Sequence, residues 1–85
     1  MTQRIRTLST GRYLDPPNLR VQLWEDGEPY ATLSTNIEGV VVDDQCFIAK
    51  EYSENAGLCD PFLKDGTFTD TGLRVSSGFI TCRIL

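Results

Sequence analysis

A β-hairpin between Leu19 and Thr35 is the feature that most constrains the fold of this chain. Apolar and polar residues alternate on both sides of a short acidic turn, the period-2 pattern of strands with one buried face. The apolar members of the pattern are Leu19, Val21, Leu23, Ala31 and Leu33. Because successive side chains of a strand point to opposite faces, this pattern predicts two antiparallel strands that cover a core with one side.

The turn of this hairpin lies within Glu25-Asp26-Gly27-Glu28, and its length sets the register. A two-residue loop at Asp26-Gly27 pairs Val21 with Thr32 and divides the aliphatic residues between the two faces. A three-residue loop that also includes Glu25 pairs Val21 with Ala31 and keeps those residues on one face. Since a slip of one residue turns the apolar set toward water, we predict the three-residue loop, with Gly27 in the left-handed region.

A short first strand is predicted near the N-terminus. Ile5 and Leu8 are the apolar residues of the segment Gln3–Ser9. Arg4 directly precedes Ile5, and Arg6 directly follows it. Charged side chains on an edge strand discourage unwanted pairing with other chains. We therefore expect this segment to form an edge of the sheet.

Further strands follow from the β-prone segments of the chain. The residues Asp15-Pro16-Pro17-Asn18 break the chain before the hairpin, because proline cannot donate to a strand ladder. Residues 40–42 and 46–49 are β-prone and are separated by two aspartates. Residues 73–75 and 78–85 are predicted to close the chain as strands.

One short helix is predicted before Gly66, which would terminate it. Pro61 must then lie in the first turn, where its missing N–H costs nothing. Either Asn55 or Asp60 could cap the start. The apolar residues that share one face of this helix are Leu58, Cys59, Phe62 and Leu63.

The 85 residues are expected to form a single domain. Residues 1–18 supply the N-terminal strand and the Pro-rich connection, and residues 19–85 supply the hairpin, the helix and the remaining strands. We predict an α+β fold, an antiparallel sheet of about five strands with one short helix packed on one face.

The residue types present argue against most kinds of catalysis. Histidine is absent, which removes the commonest general base and the commonest metal ligand. We therefore expect no catalytic residues, no cofactor and no metal site. The three cysteines, Cys46, Cys59 and Cys82, are widely spaced, and we interpret them as small apolar core residues. If the protein were an enzyme, Cys82 would be its least unfavourable nucleophile.

Charge is distributed unevenly along the chain, whose net charge is −4. Residues 1–20 carry four arginines and one aspartate, whereas residues 25–65 carry ten acidic side chains and two lysines. This balance repels phosphate, so we expect no direct nucleic-acid binding. It suits a partner with a basic surface, or else a solvated face that keeps the protein soluble. The lack of a long apolar segment predicts a cytoplasmic location and no membrane contact.

The hairpin tip carries the candidate partner-binding residues, Trp24, Glu25, Asp26, Glu28 and Tyr30. Aromatic side chains surrounded by charge are typical of protein contact surfaces. The alternative interpretation is that Trp24 packs against the helix or the N-terminal strand.

Four segments together resemble an uncharacterised family, a domain of unknown function found in short proteins of bacterial phages, plasmids and conjugative elements. The similar segments are 27–36, 50–58, 71–72 and 77–79. The resemblance covers roughly Leu19 to Leu85. It implies an accessory protein of a mobile element, and it brings no catalytic residues.

We therefore expect a small non-enzymatic protein-interaction module of a phage or mobile element. Its concrete form would be an acidic inhibitor that occupies a basic surface on a host defence complex, of the anti-CRISPR type. One alternative is a structural or regulatory accessory protein that self-associates through the sheet edge near Arg4 and Arg6. The other is an enzyme that depends on a cysteine or a carboxylate.

Overall fold

Short strands separated by long loops make up the fold. The computed structural model of the protein describes residues 5–85, so Gln3 and Arg4 of the predicted first strand lie outside the described residues. The elements are β1 (Arg6–Arg12), β2 (Leu19–Glu25), β3 (Glu28–Thr32), β4 (Ser34–Thr35), β5 (Ile48–Ala49), a 3₁₀ helix (Ser53–Asn55), α1 (Asp60–Lys64), β6 (Arg74–Ser77) and β7 (Ile80–Arg83).

The strands form three antiparallel sheets, in the orders β1-β2-β3, β4-β5 and β6-β7. A single bridge between Ile48 and Ile84 connects the second sheet to the end of β7. The α+β class is confirmed, whereas the prediction of one sheet of about five strands is wrong. Alternation along a strand reports which face is buried, but it does not report which strand lies alongside.

The first and second sheets meet at Leu33, which is fully buried. Its backbone N–H donates to the carbonyl of Val21 at 2.9 Å, and its carbonyl accepts from the N–H of Lys50 at 2.8 Å. The chain from Glu28 to Thr35 therefore pairs first with β2 and then with β5.

The hairpin turn has two residues, so the predicted three-residue loop is wrong. Asp26 and Gly27 both have positive φ, 53° and 81°, as a type I′ turn requires, and Glu25 pairs with Glu28 across it. This turn matches the right-handed twist of the two strands, which favours it over a longer loop.

A β-bulge on β3 restores the burial pattern that the two-residue turn alone would break. Trp24 pairs with Pro29, but Leu23 pairs with Ala31, so Tyr30 is the extra residue between them. Beyond the bulge the register is two residues away from the predicted one. A shift of two preserves the face of every side chain, and Leu23 and Ala31 share the core side as predicted.

The core consists of two neighbouring clusters. The larger one contains Val21, Leu23, Leu33, Phe47, Ala49, Cys59 and Leu85, and the smaller one contains Ile48, Cys82 and Ile84. Phe47 and Phe68 meet edge to face, with ring centroids 4.9 Å apart. Ile84 and Leu85, which follow β7, are both buried, so this segment contributes to the core.

The predicted apolar face packs on the larger cluster. Phe62 and Leu63 belong to α1, whereas Leu58 and Cys59 lie in the turn just before it, and Cys59 is the fully buried member. Pro61 lies in the first turn, and Gly66 follows the helix with a φ of 85°, both as predicted. Neither predicted cap is present. Asp60 is the first helical residue, and the side chain of Asn55 instead donates to the carbonyl of Thr32 at 2.6 Å.

Residues 40–42 form no strand, contrary to the prediction, because a buried side chain binds their backbone. Asn18 donates from Nδ2 to the carbonyl of Val40 at 2.7 Å and to Oδ1 of Asn36 at 3.0 Å. Its Oδ1 accepts from the N–H of Val42 at 3.0 Å. A polar residue at the end of the Pro-rich break therefore holds a distant loop in place.

We expect Asn18→Asp to lower the free energy of unfolding by about 2–3 kcal/mol. The carboxylate can still accept from Val42, but it cannot donate to Val40 or Asn36, and it buries a charge. Urea denaturation measures the loss. Gln45→Glu makes the same amide-to-acid change at an exposed position and should alter stability little. Equal effects of the two substitutions would contradict this role of Asn18.

Gly27→Ala should cost about 1 kcal/mol of unfolding free energy, because its φ of 81° disfavours any residue with a Cβ. The added methyl group would meet nothing within 4 Å, so the cost is conformational. Gly11→Ala in β1, where φ is not positive, is the matched control, and we expect it to be neutral or stabilising. Thermal unfolding of both variants compares them, and a neutral Gly27→Ala would rule out the type I′ turn.

Candidate functional site

The hairpin tip is fastened to the chain that precedes β1. The N–H of Ile5 donates to Oδ1 of Asp26 at 3.0 Å, and the N–H of Asp26 donates to the carbonyl of Ile5 at 2.7 Å. Asp26 is thus a structural residue as well as an exposed one. Glu28, Pro29 and Tyr30 are exposed beside it and form a continuous surface along β3.

Arg6 neutralises part of this acidic tip. Its Nε donates to Oε2 of Glu25 at 3.1 Å, and its guanidinium carbon lies 5.6 Å from the ring centroid of Tyr30. The Glu25 side chain is only 13% exposed. Within residues 5–85, no ion pair involves Glu28. The sequence placed five candidates in one group, and the structure separates Glu28 from the residues that hold the tip together. Tyr30 is exposed and also contacts Arg6.

Trp24 lies on the face of the first sheet that points away from the core. It pairs with Thr7 of β1, and its indole N–H donates to Oγ of Ser9 at 2.7 Å. The ring is half-buried. Trp24 is therefore held against the N-terminal strand of its own sheet, while Tyr30, at the bulge, is 49% exposed.

The cysteines occupy core positions with no disulfide between them. Burial raises the pKa of the Cys59 thiol to about 12, and the carboxylate of Glu51 adds to the effect. Burial, again with Glu51, raises the pKa of the Cys82 thiol. Since the thiolate is the nucleophile, both environments suppress the reactivity that an enzymatic role for Cys82 needs.

A charge cluster around Arg83 was not anticipated from the sequence. Arg83 of β7 makes a bidentate pair with Glu51 and approaches Asp60 at 3.4 Å and Asp70 at 3.9 Å. Arg74 binds both carboxylate oxygens of Asp70, at 2.9 and 3.1 Å. This cluster joins β7 to the loops on either side of α1. In the described part of the chain, no group of three or more His, Cys, Asp or Glu side chains could hold a metal ion.

An open cleft of about 490 Å³ lies beside β1, and we call it the seam cleft. The core face of β1 and β2 forms one wall, and the loop 67–71 and the segment 43–47, which includes Asp43, form the rest. The residues that matter below are Leu8, Thr10, Val21, Phe47, Phe68 and Thr71. This cleft was not predicted from the sequence, because residues 67–71 carry no pattern that places them opposite β1.

Phe79 was likewise missed as a surface residue. It is fully exposed at the tip of the β6–β7 hairpin, where Gly78 has a φ of 61°. Glycine at the first central position of a two-residue loop is typical of a type II′ turn, and this signal was available in the sequence.

Comparison with protein-family models, with curated proteins and with solved structures found no match to this chain. Neither helix among residues 5–85 has the length and hydropathy needed to cross a membrane.

The Asp70–Arg74 pair should make stability depend on pH between about 4 and 2. Hydrogen bonds from Arg74 and from the Gly72 N–H lower the pKa of Asp70 from its ordinary 3.8 to about 2. A depressed pKa stabilises the folded state above the ordinary pKa, and that contribution is lost as pH falls toward 2. Asp70→Asn should therefore flatten the pH dependence of the unfolding temperature in this window. The same substitution at exposed Asp44 should leave the slope unchanged; a slope unchanged in Asp70→Asn would contradict the assignment.

Proposed function

We propose that this protein is a small non-enzymatic interaction module of a phage or mobile element. In its concrete form it is an acidic inhibitor that covers a basic surface on a host defence complex of the CRISPR type. The hairpin tip is the contact surface, and the protein makes no direct contact with nucleic acid. The resemblance of residues 19–85 to proteins of mobile elements supports the genomic context.

The observation that carries the proposal is a tip that is both held in place and exposed. Two hydrogen bonds between Ile5 and Asp26, one between backbone groups and one from the Ile5 N–H to the Asp26 carboxylate, fix the tip, so little conformational entropy remains to be lost on binding. Glu28, Pro29 and Tyr30 face solvent along β3. An exposed tyrosine beside a carboxylate provides apolar contact area and a charge for a basic partner.

The charge of the protein also favours a basic partner. The net charge is −4, and the acidic side chains that produce it lie mostly after residue 20, so the protein attracts a basic surface over distances longer than a contact. Such steering mainly raises the association rate, while the tip residues that the partner covers set the lifetime of the complex. The two contributions can be separated by salt concentration.

The test should rest first on Glu28, which makes no ion pair within residues 5–85. Tyr30→Ser also removes a ring that contacts Arg6, but it leaves the hydrogen bond from Arg6 to Glu25 in place. Reversal of Glu25 or Asp26 would also remove the contact with Arg6 or with the Ile5 N–H, so its effect on binding would be mixed with an effect on folding. Glu38→Lys changes charge equally at another exposed turn, and Phe79→Ser removes an exposed aromatic ring at another hairpin tip. These two variants are the matched controls.

We expect expression of the protein to restore phage plaques on bacteria whose CRISPR effector restricts that phage. Glu28→Lys and Tyr30→Ser should each reduce this effect and weaken binding to the captured effector by about tenfold or more. Glu38→Lys and Phe79→Ser should retain both activities. Circular dichroism of all four variants is the control for folding, and each should give the spectrum of the wild-type protein.

Two results would overturn the proposal. If Glu28→Lys and Glu38→Lys behave alike, the hairpin tip is not the contact surface. If the wild-type protein protects no phage across a panel of bacteria with different CRISPR effectors, and affinity capture from them retains no effector subunit, the inhibitor interpretation is wrong.

A further inference from the structure

The outer edge of β1 presents backbone groups that no strand within residues 5–85 pairs. β1 is the first strand in the order β1-β2-β3, so only one of its edges is occupied. Just before β1, the carbonyl of Ile5 accepts from the N–H of Asp26. Just after β1, the N–H of Tyr13 donates to the carbonyl of Asn18. In an antiparallel pair the bonded residues alternate, so odd-numbered residues of β1 bond to β2. The N–H and C=O groups of Leu8 and Thr10 therefore point outward.

The side chains of the same two residues line the seam cleft. Leu8 pairs with Leu23 and Thr10 pairs with Val21, so both lie on the core face of the sheet. The opposite wall, with Phe68 and Thr71, lies across about 490 Å³ of open space. A strand added to this edge would place every second side chain in the cleft, against a floor that includes the buried Val21 and Phe47.

Arginines mark both ends of the edge. Arg6 and Arg12 are the first and last residues of β1, and the five residues between them carry no charge. Both arginines lie on the cleft side, because they are separated from Leu8 and Thr10 by even numbers of residues. Arg6 uses Nε to bind Glu25, and Arg12 uses one Nη to bind the carbonyl of Asp44, which leaves other donors of each guanidinium for a second partner.

The same arginines argue against a second copy of this chain. Antiparallel pairing of two β1 strands about their centre places Arg6 of one copy opposite Arg12 of the other. Like charges directly opposite each other destabilise a strand pair. Acidic residues at those two positions would instead complete the pairing.

We propose that β1 and the seam cleft bind an extended peptide by strand addition. The peptide carries acidic residues six positions apart, opposite Arg6 and Arg12, and apolar residues at the second and fourth positions after the first acid, opposite Thr10 and Leu8. This site meets the contact surface proposed at the hairpin tip only at Arg6, and the variants that test the one do not change the other.

A synthetic peptide, Glu-Thr-Leu-Thr-Leu-Thr-Glu, tests the proposal against the folded full chain. In titrations followed by NMR, the amide signals of Leu8 and Thr10 should shift most and become protected from solvent exchange. A peptide with lysine at both ends should bind about tenfold more weakly or worse, since it brings like charges opposite Arg6 and Arg12.

N-methylation of single peptide amides distinguishes strand addition from simple apolar binding. Methylation of the second leucine removes an N–H that faces β1 and should abolish binding. Methylation of the central threonine alters an N–H that faces away and should leave the affinity nearly unchanged. Equal effects of the two methylations would overturn the proposal.

A matched pair of protein variants tests the site from the other side. Thr10→Glu adds a charge to the cleft that repels the acidic peptide, whereas Thr7→Glu adds the same charge on the opposite face of β1. Only the first should weaken binding, by about tenfold. The absence of a saturable shift with the wild-type protein would overturn the proposal. So would concentration-dependent protection of Leu8 and Thr10 without peptide, with a dimer mass, because the occupant would then be a second copy.

Discussion

Leu33 is the residue at which one continuous strand leaves the first sheet and enters the second, and the rest of the structure depends on it. Its N–H binds Val21 and its carbonyl binds Lys50, so the backbone of a single buried residue joins β2 to the segment before the 3₁₀ helix. The next residue reinforces the junction, since Oγ of Ser34 accepts from the N–H of Val21 at 2.9 Å. β4 and β5 have two residues each, and so short a pair of strands is not stable alone. The pair therefore depends on its connection to the first sheet through Leu33.

Polar side chains connect distant parts of this chain by hydrogen bonds, as longer strands do in larger domains. Asn18 holds the loop through Val40 and Val42, Asn55 binds the carbonyl of Thr32, and Arg83 links β7 to Glu51. Each is a side-chain contact between parts of the chain that are distant in sequence. In a protein of this size the apolar core is small, so satisfied buried polar groups carry a large share of the specificity of the fold.

Prediction from the sequence succeeded where one residue and its near neighbours decide the outcome. Alternation identified the buried face of the hairpin, and the apolar spacing at residues 58–63 identified the packed face of α1. It failed where a partner decides. Three features depend on groups distant in the sequence. They are the bulge at Tyr30, the absence of a strand at residues 40–42, and the hydrogen bond from the Asn55 side chain to the carbonyl of Thr32. For the candidate site, the sequence selected the hairpin tip, but not the role of Arg6 in holding it or the seam cleft beside β1.

By itself, the sequence determined the α+β class, the sidedness of the hairpin and the amphipathic face of the short helix, because these follow from periodicities of a few residues. Only the tertiary structure decided the division into three sheets, the two-residue turn with its compensating bulge, and which acidic side chains remain exposed at the tip. Periodicity determines which face of the sheet each side chain occupies, but a register shift of two residues leaves that face unchanged. Contacts between segments far apart in the chain determine which strands pair and in which register.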